Sequence, residues 1–386
     1  MDELQERMPV KRAIAVVDPE AVRRNCARLV RELGGRSELC AVVKANGYGH
    51  GTRDVARAAV QGGATWLAVA AAGEIARTPD FPDIPILVMG ALTDDDLRAA
   101  LEDRCDVAVW SGEFLAAAAE RGEEMGLRPR VHVKYDTGMG RLGESDPDAV
   151  SELVGRAAAD DRVELVGLWT HFATADERQS LFFDHQLARF QELALPLKRR
   201  HPSLVLHAAN SAATLRDPGS HLDMVRRGIA IYGLDPFHED PAGRDLEPAL
   251  ELRSYVAAVK RFEQGASAGY GRTWRAPRDT WVGVIPIGYG DGVRRGLSNN
   301  ADVLVDGRRY PVVGTVSMDN ITIDLGPSTD VETGAEAVLI GEQGEERILA
   351  EEVARRLGTI NYEVTTGLLP RVDRVHVSEI RFDQDK

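Results

Sequence analysis

The chain is poor in cysteine, with only Cys26, Cys40 and Cys105 in 386 residues. Their number is odd and no CxxC spacing occurs, which excludes a zinc-ribbon framework and fits a reducing compartment. Long apolar runs are also missing, so no segment reaches the length of a bilayer-crossing helix. The opening "MDELQERMPVKR" is charged and lacks an apolar core, so it does not read as a secretory signal. Excess positive charge is absent too. The formal net charge is −14, which argues against a nucleic-acid-binding surface. Solenoid-length repeats and low-complexity tracts are not found. The expectation is an acidic cytoplasmic protein with no membrane partner, no nucleic-acid partner and no metal.

What the sequence does contain is alternation. The apolar content of 44% is ordinary, and the length suits two domains, or a barrel plus a smaller unit. "AIAVV" (13–17) is followed by Asp18-Pro19, an N-cap and first-turn pair. Val22, Cys26, Leu29, Val30 and Leu33 then share one helical face. After it come "LCAVVKA", "WLAVA", "ILVMG", "DVAVW", "RVHVKYD", "LVGLWTHF", "LVLHAAN" and "MVRRGIAIYG", mostly separated by helix-length segments. Their apolar continuity suggests parallel strands buried on both faces.

With "AIAVV" there are nine runs, one more than a closed (β/α)8 barrel needs. A doubly wound sheet would also accept them. If the eight from Leu39 onward close a barrel, the first strand is free to pair elsewhere. From about residue 249 the texture becomes β-branched, with turn signals such as Asp306-Gly307. In that part only "LAEEVARRLG" (349–358) reads as a helix. The expected fold is α/β: an N-terminal extension and strand (1–17) that can pair with the C-terminal part, a TIM-type (β/α)8 barrel (18–248), and a mostly β C-terminal domain (249–386).

Catalytic groups of a parallel barrel gather at the carboxyl ends of its strands. Lys44 stands at the end of the first barrel run, an unusual place for an ammonium group unless it is paired or functional. Arg141 follows the fifth run, His171 the sixth, Asn210 and Ser211 the seventh. Arg226 lies in the eighth, before Gly228-Ile229. Barrels often build a phosphate site from backbone N–H groups and a hydroxyl after strands seven and eight. A strand-end lysine, such a cradle and an arginine in the mouth together suggest pyridoxal phosphate, with Lys44 as covalent anchor. Each residue also has a plain structural reading. Lys44 can snorkel to water, His171 can be a rim histidine, Arg226 can pair a carboxylate, and Asn210-Ser211 can cap a helix. "GMGRLG" (138–143) fits the dinucleotide pattern GxGxxG, yet Arg141 sits inside it and the next strand ends in "THF" rather than an acid.

"AVVKANGYGHG", "VHVKYDTGMGRLG", "THFATADE", "HAANSAA", "RRGIAIYGL", "GYGRTW", "GYGDG", "VSMDN" and "NYEVTT" stand in the order found in bacterial alanine racemases. These are fold-type III pyridoxal-phosphate enzymes, and the resemblance runs from about residue 13 to 375. It implies a barrel plus a β domain, and a homodimer whose active sites are completed across the interface. By resemblance, Lys44 is the Schiff-base lysine and serves the D face of the substrate, while Tyr270 is the base of the L face. Tyr48, Asn210, Ser211, Gly228, Ile229 and Tyr362 resemble the phosphate-binding set. Arg226 resembles the arginine on the pyridine nitrogen, and His171 the histidine linked to the catalytic tyrosine. Arg141 and the backbone of Met318 resemble the substrate-carboxylate contacts, and Tyr362 and Tyr289 are the residues that could narrow the side-chain pocket. Lys134 matches a position that is carbamylated in some members, where it would orient Arg141. Two departures stand out: Ser317 where many relatives have cysteine, and Asp373 and His376 where proline and tyrosine are common.

Removing an α-proton from one face and returning one to the other needs two bases on opposite sides. A free tyrosine titrates at about 10, so a phenolate base requires the positive, hydrogen-bonding surroundings that His171 and Arg226 would give. An arginine on the ring nitrogen cannot readily yield its proton, which favours racemisation over side reactions. The resemblance thus implies interconversion of L- and D-alanine, supplying D-alanine for peptidoglycan. The alternatives are a racemase of broader specificity, an amino-acid decarboxylase of the same fold, and a non-catalytic pyridoxal-phosphate carrier. A carrier would lack the C-terminal third with Tyr270, Tyr289 and Met318.

Overall fold

A computed structural model describes residues 11–77 and 81–377. The chain divides into two compact units, one of residues 19–247 and one formed by the N-terminal segment to Asp18 together with 248–386. In the first unit eight parallel strands close into a barrel: β2 (Glu38–Val42), β3 (Trp66–Val69), β4 (Ile86–Val88), β5 (Asp106–Val109), β6 (Arg130–Lys134), β7 (Glu164–Trp169), β8 (Val205–His207) and β9 (Met224–Arg227). Pairing of β2 with β9 closes the ring. The (β/α)8 barrel expected from the sequence is the one observed.

Helix α1 (Pro19–Leu33) buries Val22, Cys26, Leu29 and Leu33, the face its periodicity marks, while Val30 is half-buried. Asn25 on the same face is buried and fully used. Its amide donates to the Ile231 and Glu247 carbonyls at 3.2 and 2.9 Å and accepts from the Glu247 N–H at 2.9 Å. No described helix is long and apolar enough to cross a membrane.

Apolar continuity of the strands accounts for their outer faces, but the barrel interior is polar. His132 of β6 meets His207 of β8 although β7 lies between them, so these side chains join inside the ring. Trp66 reaches His132 edge-on at 5.6 Å, and Trp169 stacks on His207 at 5.6 Å. Every charged or polar group in such an interior needs a partner, because desolvation without one is costly.

In the second unit, strand β1 (Ile14–Val17) lies between the antiparallel strand Leu250–Tyr255 and the parallel strand Asp373–His376. These belong to a seven-stranded sheet, and a three-stranded sheet is formed by Ala258–Phe262, Thr280–Ile285 and Ile321–Gly326. Asp373 pairs with Lys11 at 3.1 Å.

Two local expectations are corrected. "GIAIY" leaves the last barrel strand as a 3-10 turn, Ile229–Tyr232. "NYEVTT" is a second short helix, Asn361–Thr366. β-branched residues had hidden it, because they fit strands better in isolation.

One buried carboxylate organises the loops of this unit. Asp291 is fully buried, accepts both Nη atoms of Arg12, takes the Gly288 N–H at 2.9 Å, and lies 3.2 Å from Arg371 Nε. Arg371 also donates to Asp319 at 2.6 Å. Asp291→Ala leaves these donors without their acceptor and should lower stability by about 3–5 kcal/mol, read as a drop in the urea midpoint.

Candidate active site

The barrel mouth gathers ten of the residues singled out in the sequence: Lys44, Tyr48, Lys134, Arg141, His171, Asn210, Ser211, Arg226, Gly228 and Ile229 all belong to the barrel unit. Tyr270, Tyr289, Met318 and Tyr362 belong to the other.

Strand β2 ends at Val42, two residues before Lys44, and the chain then enters a left-handed turn. Ala45, Asn46, Gly47 and Tyr48 have φ of 52, 56, 60 and 52°. This hand costs roughly 1–2 kcal/mol for each residue with a Cβ. Glu74 offsets part of that: its carboxylate accepts the Ala45 N–H at 2.6 Å and the Ala70 and Ala71 N–H groups at 2.9 and 3.2 Å. Gly47, Gly49 and Gly51 all have positive φ, so the glycines supply backbone hand as well as slimness. Tyr48 is buried, and a Cβ on Gly228 would stand 2.3 Å from its hydroxyl. Only glycine fits there.

Beside that contact, Asn210 caps the turn Ser211–Arg216 through the Ala213 N–H at 2.9 Å. The Ser211 hydroxyl accepts from the Gly228 and Ala230 N–H groups at 3.1 and 3.4 Å. A hydroxyl, backbone amides and a phenol thus converge after β8 and β9, the usual phosphate corner of a barrel.

Arg226 is nearly fully buried. Its Nη1 bonds His207 Nδ1 at 2.9 Å. Its Nη2 donates to the Thr170 and Ala208 carbonyls at 2.7 and 3.0 Å and approaches His171 Nδ1 at 3.4 Å. Nε has no partner among the described residues. The neighbouring Arg227 points the other way, 3.8 Å from Glu32. Among the described residues no carboxylate contacts Arg226 directly. Burial, with Arg226 and Arg141 contributing, lowers the pKa of Lys134 to about 8 and that of His171 well below the usual range. Lys44 is lowered as well, by burial first and then Arg141, with Glu74 opposing. Lys134 lies 4.2 Å above the Trp169 ring, where its burial is partly compensated.

The "GMGRLG" segment has a structural explanation. Asp136 accepts the N–H groups of Gly138, Met139, Gly140 and Arg141 at 2.9, 2.7, 2.8 and 3.2 Å. The glycine loop is an anion nest, and the anion it holds is the chain's own carboxylate. Gly143 closes it: a Cβ there would be 2.9 Å from the Asp136 nitrogen.

In the β unit Tyr270, Met318 and Tyr289 are exposed by 72, 50 and 39%. Their loops are tied together. Thr315 donates to the Tyr270 carbonyl at 2.8 Å, and the Tyr289 and Gly290 N–H groups donate to Ser317 and Met318 at 3.0 and 2.9 Å. Ser317 closes the Met318 turn through Asn320, its hydroxyl donating at 2.8 Å and accepting at 3.1 Å. Tyr362 lies on the short helix Asn361–Thr366.

Residues missed in the sequence are Glu74, Asp106, Asp136, His132 and His207. The histidines had a signal: in "RVHVKYD" His132 is two residues before Lys134, so both face the same side of a strand.

A closed parallel barrel with a desolvated strand-end lysine, a polar corner after its last two strands and a buried arginine, joined in one chain to a β domain, is the layout of a two-domain barrel enzyme. Models of the alanine racemase N-terminal and C-terminal domains match residues 17–236 and 249–376. The alanine racemase of Symbiobacterium thermophilum is 42% identical, over 95% of this chain and 97% of its own. A solved alanine racemase from Streptomyces coelicolor superposes with TM-score 0.89 at 38% identity, covering 95% of this chain and 98% of that one. Another, from Bartonella henselae with covalently bound pyridoxal phosphate, gives TM-score 0.84 at 26% identity, over 96% and 100% of the two chains. The chain belongs to the alanine racemase family, whose members are isomerases.

Charge-assisted hydrogen bonds contribute about 1.5–3 kcal/mol each. Asp136→Ala should therefore raise hydrogen exchange at Gly138–Arg141 by at least about tenfold, measured by mass spectrometry, with the barrel amides unchanged.

Proposed function

We propose that this protein interconverts L- and D-alanine with pyridoxal 5'-phosphate held in the barrel mouth, Lys44 and Tyr270 acting as bases on opposite faces. Three observations fit the cofactor to these residues: the unpartnered Arg226 Nε suits a ring nitrogen, the corner of Ser211, Gly228 and Tyr48 suits a phosphate, and the lowered pKa of Lys44 suits a covalent amine anchor. When bound, the cofactor supplies an electron sink that acidifies the α-C–H of an attached amino acid.

The residues then divide the work. Asn210, Ser211, Gly228, Ile229, Tyr48 and Tyr362 hold the phosphate. Arg141 and the Met318 backbone orient the substrate carboxylate, and Tyr289 limits side-chain size. Arg226 donates to the ring nitrogen and keeps that donor protonated. His171 has its pKa depressed and accepts a hydrogen bond from Arg226 Nη2 at Nδ1, so its proton sits on Nε2, which has no partner among the described residues. It offers that donor to a tyrosine oxygen, which helps Tyr270 carry charge. The exposure of Tyr270, Met318 and Tyr289 on tied loops suits a homodimer in which each copy completes the other's site. In a bacterial cytoplasm the product supplies peptidoglycan synthesis.

The observation that carries the reading is an arginine whose Nη1 and Nη2 are both bonded while Nε has no partner among the described residues. In heavy water, L-alanine should yield D-alanine with deuterium at the α-carbon, and Lys44→Ala should lose both. Retained racemisation in that variant would sink the mechanism. Tyr270→Phe should cut α-exchange of the L-isomer by about 10²–10⁴-fold while the bound-cofactor absorbance survives.

Lys134, lowered to about 8, has a free-amine fraction near neutrality that can take up carbon dioxide and so orient Arg141. Uptake should rise with pH up to about 8 and level off above it. A carbamate signal from ¹³C-bicarbonate, absent in Lys134→Met, tests this.

A further inference from the structure

A line of hydrogen bonds crosses the barrel interior from the amino ends of the strands to Arg226. Asp106, at the start of β5, is fully buried and accepts Arg130 Nε at 2.7 Å through one oxygen. Its other oxygen meets His132 Nε2 at 2.9 Å, although Arg130 Nη2 also reaches it at 3.3 Å. His132 Nδ1 meets His207 Nε2 at 2.9 Å, and His207 Nδ1 meets Arg226 Nη1 at 2.9 Å. Arg130 is held in turn by Glu164 at 2.9 Å.

The chemistry of the two ends fixes every proton between them. Arginine can only donate, so His207 Nδ1 must carry a lone pair. A neutral His207 then has its proton on Nε2 and gives it to His132 Nδ1. That leaves the His132 proton on Nε2, facing a carboxylate that can only accept. Both rings are neutral in this arrangement, and no other neutral arrangement satisfies all three bonds. Burial, Arg226 and His132 keep the His207 pKa well below its usual value. Bonds aligned head to tail polarise one another in a low-dielectric interior.

The barrel is also shaped for this contact. The residue of β7 between the two histidines is Gly167, where a Cβ would stand 2.2 Å from His132 Nδ1. Trp169 lies parallel to His207 within 5°, and the Arg226 guanidinium sits 4.7 Å from the same indole.

We propose that Asp106, acting through His132 and His207, is a positioning residue that locks Arg226 in a single donor arrangement and so commits its Nε to the ring nitrogen of the cofactor. The last clause rests on the functional reading above; the relay itself does not. An amide in place of Asp106 cannot serve both neighbours. With its oxygen toward Arg130, its NH₂ faces His132, and both histidines must change tautomer until a His207 N–H meets an Arg226 N–H. With its oxygen toward His132, the NH₂ faces Arg130.

The test uses the holoenzyme labelled with ¹⁵N-histidine. In the unmodified protein both rings should show one protonated nitrogen, Nε2, with a through-bond ¹⁵N–¹⁵N coupling between His132 Nδ1 and His207 Nε2. A proton on Nδ1 of either ring, or no coupling, would overturn the relay without any variant. In Asp106→Asn the His207 nitrogen shifts should move, and pyridoxamine phosphate formed per racemisation turnover should rise by about 10–100-fold, the usual weight of an outer hydrogen-bond partner. Unchanged His207 shifts in the folded variant refute the proposal. His132→Phe, which removes the relay without disturbing Arg130, should give the same two changes if Asp106→Asn does not fold. Wild-type protein that binds no cofactor would refute the functional reading alone, because the histidine signals are present either way.

Discussion

A guanidinium with no carboxylate against it among the described residues governs the barrel interior. Arg226 is surrounded by neutral acceptors, a histidine and two carbonyls, so its charge is held but not cancelled. In a medium of low effective dielectric that charge acts over several ångströms. It disfavours further positive charge on its neighbours, and Lys44, Lys134, His171 and His207 all have lowered pKa values with Arg226 among the causes. Burial is the larger cause in each. The arginine gives those shifts a common direction and a common centre.

Residue identity at strand ends carried most of the site into the sequence. Lys44, His171, Asn210, Ser211 and Arg226 could be read there because a parallel barrel puts strand ends in one place, whatever the intervening helices do. The eight barrel strands were legible for a related reason: each is a short apolar run followed by helix-length punctuation. What was not legible depended on pairings across the ring. Nothing local says that His132 of β6 meets His207 of β8, because that contact requires a glycine on the strand between them. Handedness was hidden in the same way. "KANGYG" reads as a glycine loop, and its left-handed backbone depends on Glu74, 29 residues from Ala45. The helix at Asn361–Thr366 was missed because local β preference yielded to its tertiary setting.

The two units are organised on opposite plans. In the barrel, a chain of polar groups from Asp106 through His132 and His207 to Arg226 is turned inward and bonded end to end, so that line tolerates little change. In the β unit one buried carboxylate, Asp291, though not the only buried acid there, accepts Arg12 and the Gly288 N–H and so pins the loop that carries the exposed Tyr289. One unit fixes charge and the other presents surface.

The loop closed on Asp136 has a thermodynamic consequence. Where a loop is ordered only when its anion arrives, part of the ligand's affinity goes into ordering it. Here four amides are already bound to an internal carboxylate. The backbone entropy of the Arg141 segment is therefore surrendered during folding, not at each encounter with substrate. If Arg141 orients a substrate as proposed, arrival and departure at this segment need no loop-ordering step.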